Sequence, residues 1–347
     1  MIPVLRWILL PISLFYLLIV WTRNKLYDKG ILKSKSFDVS TIIVGNLAIG
    51  GTGKSPMTEY LVRLLSSHYT LATLSRGYGR KTSGFRYVEM TSTAVEVGDE
   101  PLQFKNKFRK LTVAVCEDRC KGVEILKNNH QVILLDDAYQ HRRLKPGFAI
   151  LLFDFRSLFS TIITLPTGNF RDNFSASSRA NLIVITKCPR RLSLEQQQQI
   201  EHQIRKHSDA PILYSNIEYN QLRNRDHLPV ELDLSVYHIL LLTGIANPKP
   251  LKEYLLDKVA SVKQLTFPDH HNYSEADYIK INSAFQNLQG NRIIITTEKD
   301  IHRLHKDSLA ALPVYYIPIQ LDFIADKEIF DRKVLEYVSL TQSVNKH

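Results

Sequence analysis

The chain has 347 residues, 44% of them apolar and 23% charged, enough apolar mass for a packed core and a composition that argues against intrinsic disorder. Three cysteines exclude a disulfide framework, and Cys116 and Cys120 lack the second pair that a structural zinc site would need. A net charge of +11 favours anionic partners (nucleic acid, acidic lipid or phosphorylated substrates) without choosing among them.

From Trp7 to Trp21 the chain is apolar except for Ser13. As a helix this run would be about 22 Å long at ~1.5 Å per residue, short of a hydrocarbon core of ~30 Å. A tryptophan stands at each end, where rings favour the headgroup level. Behind it come Arg23, Lys25, Lys29, Lys33 and Lys35, opposed only by Asp28 and Asp38, a flank attracted to an anionic leaflet. Thr22-Arg23-Asn24-Lys25 is no signal-peptide cleavage site. The pattern favours a membrane-associated helix over a buried core helix, with Pro11 marking its start or bending it.

Beyond it, short β-branched runs alternate with amphipathic helical stretches. Strands are expected at Thr41–Val44, Thr112–Val115, Val132–Leu135, Ile150–Phe153, Leu182–Thr186, His238–Leu242, Arg292–Thr296 and Val314–Ile319. Near-continuous apolar strands separated by helices predict an α/β fold with a parallel sheet covered on both faces. The polar, turn-rich segment Asn216–Asp233 reads as a linker. The expected organisation is a membrane-associated helix and basic flank (1–36), a P-loop domain (37–215), and a linker with a second, smaller α/β domain (216–347).

The strand Thr41–Val44 runs into Ala48-Ile49-Gly50-Gly51-Thr52-Gly53-Lys54-Ser55, followed by a helix. Strand, glycine-rich loop, Gly-Lys-Ser and helix make up a phosphate-binding loop. Its glycines let consecutive N–H groups curl toward phosphate oxygens, and the helix N-terminus adds partial positive charge. Lys54 would bridge the β- and γ-phosphates of a nucleotide and the Ser55 hydroxyl would hold Mg²⁺. Ala48 stands where the usual pattern has its first glycine, which is tolerable if that position keeps a negative φ.

Val132–Leu135 ends in Asp136 and Asp137, carboxylates at the C-terminal edge of a parallel sheet where ligands bind and Mg²⁺ is held. Ser75-Arg76-Gly77-Tyr78-Gly79-Arg80-Lys81 is a basic loop that can approach an anion closely. Asp99, in Gly98-Asp99-Glu100-Pro101, is either an N-cap or a functional carboxylate. Phe267-Pro268-Asp269-His270-His271 is a polar turn without a third ligand at metal spacing.

Together these segments resemble the tetraacyldisaccharide 4'-kinase family. The resemblance runs through Val44–Leu47, Gly50–Pro56, Ser75–Arg80, Val97–Pro101, Asp118-Arg119, Asp136–Arg142, Leu165–Gly168 with Arg171, Thr186-Lys187, Thr243–Pro248, Phe267–His270 and Thr297–Asp300. It implies transfer of the ATP γ-phosphate, with Mg²⁺, to the 4'-hydroxyl of an acylated glucosamine disaccharide 1-phosphate, giving lipid IVA. Asp99 would accept the hydroxyl proton with a histidine partner, His270 favoured over His271. Asp136, Asp137 and Ser55 would serve Mg²⁺; Arg76, Arg119 and Arg171 would contact substrate or phosphate. A monomer at the cytoplasmic face of the bacterial inner membrane is expected. Ser55 replaces a frequent Thr, Ala138-Tyr139 a frequent Gly-Phe, and Asp172 a frequent Glu.

One rival is a P-loop GTPase or ATPase switch at the membrane, which would need an Asn/Thr-Lys-x-Asp loop. Thr186-Lys187-Cys188-Pro189 lacks the aspartate, and Thr297-Glu298-Lys299-Asp300 is only a looser echo. A nucleic-acid binder would need interleaved basic and aromatic residues, and the sequence has no such platform.

Overall fold

The computed structural model describes residues 4–269, 271–305 and 307–344. Thirteen strands occur among them: β1 (Ser40–Asn46), β2 (Leu71–Ser75), β3 (Arg86–Tyr87), β4 (Thr112–Val115), β5 (Val132–Asp136), β6 (Phe148–Asp154), β7 (Leu182–Thr186), β8 (Ile212–Tyr219), β9 (His238–Thr243), β10 (Ser261–Thr266), β11 (Arg292–Thr297), β12 (Val314–Ile317) and β13 (Ile319–Phe323). They form a nine-stranded sheet, ordered β13-β8-β7-β6-β1-β5-β2-β4-β3, and a four-stranded sheet, ordered β10-β9-β11-β12. The chain divides into two compact units, Met1–Ile217 with Leu321–His347, and Glu218–Gln320.

In the large sheet β1 pairs parallel with β5 and β6, the short β3 runs antiparallel to β4, and β13 runs antiparallel to β8, with Asn220 N donating to the Pro318 carbonyl and Ile324 N to that of Tyr214. Alternation along each strand feeds two cores. Ile43, Ile133, Leu135, Leu151 and Ile183 join one cluster, with Val123 and Leu126 of the helix Arg119–Leu126 and Ile200 and Ile204 of Leu194–Arg205. Ile42, Val44, Leu134, Leu152 and Val184 join the other, with Met57, Leu61 and Leu65 of the helix Lys54–Leu65. Side chains two apart share a face, so a strand apolar at every position must be covered on both. The small sheet repeats the plan, with Leu240, Leu242 and Ile294 on one side and Ile239, Leu241, Ile293 and Ile295 on the other.

Three elements differ from the sequence expectation. β8 occupies part of the segment read as linker, because Leu213 and Ser215 face inward while Ile212 and Tyr214 stay half-exposed. β10 is an edge strand and therefore polar along much of its length, which hid it. The second unit ends near Gln320 rather than at the C-terminus. The helix Lys327–Val344 returns to the first unit, burying Phe330, Val334 and Val338. Phe330 meets Tyr60 and Phe323 with ring centroids 5.4 and 4.8 Å apart, and Tyr60 Oη donates to Asp331 Oδ1 at 2.6 Å.

The N-terminal helix spans Leu10–Asp28, with Pro11 in its first turn, so that proline marks a start and not a bend. Among the described residues no helix is long and apolar enough to cross a membrane. Its polar side faces the protein. Ser13 Oγ donates to Thr167 Oγ1 (2.8 Å), Tyr16 Oη to the Arg171 carbonyl (2.9 Å), and Asn24 Nδ2 to Asp172 Oδ1 (2.8 Å); Val20 is buried between them. Residues 13, 16, 20 and 24 recur at helical spacing on one side. Ile8, Ile12, Leu14, Phe15, Leu18 and Ile19 are exposed. The helix is thus apolar over much of its surface and leaves a broad apolar side exposed, which a core helix would not.

Phe330→Ala is expected to cost about 3–5 kcal/mol, as for other fully buried aromatics. Denaturant unfolding followed in the first unit measures it, although the residue lies beyond the second unit in sequence.

Candidate active site

β1 and β5 are neighbours and parallel, so the loop after β1 and the carboxylates ending β5 emerge at the same edge of the sheet. The loop turns through Gly50 (φ 109°) and Gly53 (φ 84°), left-handed conformations that favour glycine; Ala48 is not left-handed, the condition its substitution requires. Gly53 precedes the first residue of the helix, Lys54, whose unbonded N–H groups therefore open onto the loop.

Asn46 organises the loop from within. Its Nδ2 donates to the Ala48 carbonyl and to Thr52 Oγ1, both at 2.7 Å, and its Oδ1 accepts from Arg171 and, at 3.5 Å, from Lys54 Nζ. Thr186 Oγ1, at the end of β7, donates to the Thr52 carbonyl (2.9 Å). Lys187, in the left-handed region at φ 57°, donates to the Gly51 carbonyl and pairs with Asp154 at 2.9 Å. A lysine held in that conformation costs of order 1 kcal/mol or more, which this strap across the loop offsets.

Asp137 also has a positive φ, 49°. That turn sends its carboxylate to Arg171, which donates from both terminal nitrogens, Nη1 to Oδ2 at 3.1 Å. Lys54 Nζ lies 3.8 Å from Asp137 Oδ1. Burial would raise the Asp137 pKa, but Arg171, Lys54 and Arg119 hold it below the ordinary value. Asp136 is the opposite case. Burial first, then the charges of Glu100 and Asp137, push it up to about 7, and its Oδ1 is buried with no hydrogen-bond partner among the described residues.

Arg119 is 4% exposed and donates to the carbonyls of Cys116 and Glu117 (both 3.2 Å) and Asp137 (3.5 Å); burial lowers its pKa against the pull of Asp136 and Asp137. It therefore braces the Asp137 turn from behind. Arg76 is exposed and within electrostatic reach of Arg119. Gly77 and Gly98 let two loops touch. A Cβ on Gly98 would stand 2.9 Å from the Tyr78 carbonyl, and one on Gly77 2.8 Å from the Val97 carbonyl. Asp99, half-buried, opens the helix Asp99–Lys107 directly after that contact. Next to it, Glu100 Oε1 lies 3.5 Å from Ser55 Oγ.

The chain matches the family model described as Tetraacyldisaccharide-1-P 4'-kinase over residues 5–339. It belongs to that family. The Tetraacyldisaccharide 4'-kinase of Flavobacterium johnsoniae is 47% identical over 96% of this chain and 97% of its own; that of Phocaeicola vulgatus is 39% identical over 97% and 96%. A crystal structure of an "apo" form of LpxK from Aquifex aeolicus in complex with ATP is 30% identical, covers 96% of this chain and 99% of that one, and superposes with a TM-score of 0.76.

The fold thus brings together Ala48–Ser55, Asp136, Asp137 and Arg171, with Arg119 behind them. His270 lies outside the described residues. His271 is engaged within its own unit, with Nε2 3.0 Å from Asp277 Oδ2 and its ring stacked on Phe267 at 4.9 Å. Asp172, with the shorter side chain, accepts from Asn24 Nδ2 and pairs with Arg179 at 3.3 Å, so it is spent on docking the N-terminal helix. Sequence reasoning gave no role to Asn46, Glu100 or Lys187. Each stands inside or beside a quoted motif, but its role depends on partners far along the chain.

Asp136 sets a pH dependence. Its folded pKa lies above the unfolded carboxylate value, so its contribution to stability is complete below about pH 4 and is lost as pH rises through about 7. Asp136→Asn should match the wild type in stability near pH 4 and exceed it above pH 7, in denaturant unfolding without nucleotide or divalent ions.

Proposed function

We infer that this chain is an ATP-dependent kinase that phosphorylates the 4'-hydroxyl of a tetraacyl glucosamine disaccharide 1-phosphate, giving lipid IVA. One observation carries the reading. A family match over nearly the whole chain coincides with a phosphate loop whose lysine stands 3.8 Å from Asp137, the carboxylate just past the end of the neighbouring strand.

Phosphoryl transfer needs positioning and charge neutralisation more than covalent chemistry. The amides of residues 48–55 cradle the triphosphate, and Lys54 neutralises its β- and γ-phosphates. Arg171 and Arg76 contact phosphate; Arg119, enclosed in protein, positions Asp137 for them. Ser55 Oγ, the orphaned Asp136 Oδ1 and Asp137 are oxygen donors that fit a hard divalent cation such as Mg²⁺. When bound, Mg²⁺ would neutralise charge on the β- and γ-phosphates. Asp99 accepts the proton of the attacking hydroxyl, with His270 as a second proton-handling residue.

The outward apolar face of the helix Leu10–Asp28 lies in the headgroup region of an anionic bilayer, as a monomer's docking surface on the cytoplasmic face of the inner membrane. Its basic flank supplies attraction to the leaflet. The acceptor's acyl chains then need not leave the bilayer.

With γ-labelled ATP and the disaccharide 1-phosphate, wild type should transfer label to the lipid. Lys54→Ala and Asp99→Asn should each lose about 10²-fold or more in kcat, and His270→Ala should lose rate without losing nucleotide binding. Acceptor-independent turnover that prefers GTP would instead support the switch reading. Separately, Phe15→Glu with Ile19→Glu should abolish co-sedimentation with anionic vesicles while ATP binding persists. Unchanged sedimentation would remove the anchor.

A further inference from the structure

Cys120 belongs to the helix Arg119–Leu126, Asp118 caps that helix, and His141 lies on the turn after Asp137. Their ligand atoms, a carboxylate oxygen, a thiol sulfur and an imidazole nitrogen, all lie within 4.8 Å of one another. No sequence spacing announces this set, because Cys120 and His141 stand 21 positions apart.

Two features of the cluster point to an ion. His141 Nε2 is buried and makes no hydrogen bond to any described residue. It stands 3.9 Å from Asp118 Oδ1, beyond hydrogen-bond reach. Two donors at such a separation can share a metal with bonds of about 2.0–2.2 Å after small side-chain shifts. The carboxylate is already oriented: Oδ1 accepts from Cys120 N at 3.0 Å and Oδ2 pairs with Arg143 at 3.1 Å, the kind of outer partner that ligating carboxylates have.

We propose that Asp118, Cys120 and His141 form a site for a zinc-class divalent ion, with its fourth position open to water. A mixed sulfur, nitrogen and oxygen set selects Zn²⁺ or Co²⁺ over Mg²⁺, whose preference is for oxygen alone. The site therefore differs in kind from the all-oxygen set of Ser55, Asp136 and Asp137. Burial, then the Arg119 charge, push the His141 pKa down to about 4, so the imidazole is neutral and its lone pair available at pH 7. Burial raises the Cys120 thiol, so metal binding expels its proton to solvent. The ion would tie the Asp118-Arg119 turn to the turn after Asp137, bracing the same backbone that Arg119 holds through the Asp137 carbonyl.

Full-length protein stripped with chelator and titrated with Co²⁺, without nucleotide or Mg²⁺, should develop a thiolate-to-cobalt near-ultraviolet absorption that saturates at one equivalent and is bleached by Zn²⁺. Cys120→Ser should abolish it and His141→Gln should weaken binding about 100-fold or more, whereas Asp137→Asn should leave it intact. Absence of the band in wild type, or its survival in Cys120→Ser, overturns the proposal. If Cys120→Ser does not fold, X-ray absorption on zinc-loaded wild type decides. One sulfur with nitrogen and oxygen neighbours supports the site, and a shell without sulfur or with several sulfurs overturns it.

Discussion

The ion pair between Asp137 and Arg171 is the contact on which the geometry of the candidate site depends. Asp137 is half-buried beside the buried Asp136 carboxylate, and two carboxylates so close repel unless positive charge offsets them. Arg171 meets both of its oxygens and at the same time holds Asn46, whose amide fixes Ala48 and Thr52. One guanidinium therefore sets the carboxylate and the phosphate loop in register. The neighbouring Asp136 keeps its pKa high chiefly because it is buried, and then because Glu100 and Asp137 bring further negative charge, against the pull of Lys54 and Arg119.

The same stretch of chain anchors the N-terminal helix. The Arg171 carbonyl accepts from Tyr16 and the Asp172 carboxylate from Asn24, while the Arg171 side chain reaches the opposite way into the site. Two consecutive residues thus touch both the helix with the exposed apolar face and the Asp137 carboxylate of the candidate site. A helix that docks by hydrogen bonds leaves apolar side chains exposed, the reverse of the usual arrangement in a globular core.

Much of this was legible beforehand. Gly50, Gly53, Lys54 and Ser55 announce a phosphate loop because a backbone that curls around phosphate has few solutions, and Val132–Asp137 announces a buried strand ending in acids. The apolar strands fall close to where alternation of strand and helix put them. What stayed hidden was local structure decided by neighbours: β10, polar because it lies at an edge; β8, half-exposed and followed by turn residues; and the helix Lys327–Val344, whose amphipathic face does not say which core it joins.

The parallel α/β plan, the glycine-rich loop and the apolar N-terminal run are legible from residue types a few positions apart. Folding is what joins Asn46, Arg171 and Asp137 in one network, makes Arg119 a buried brace rather than an exposed contact, turns Asp172 to a helix, and brings Asp118, Cys120 and His141 together. These depend on distances between segments tens to more than a hundred residues apart, and such distances are set by strand order and packing, not by local pattern.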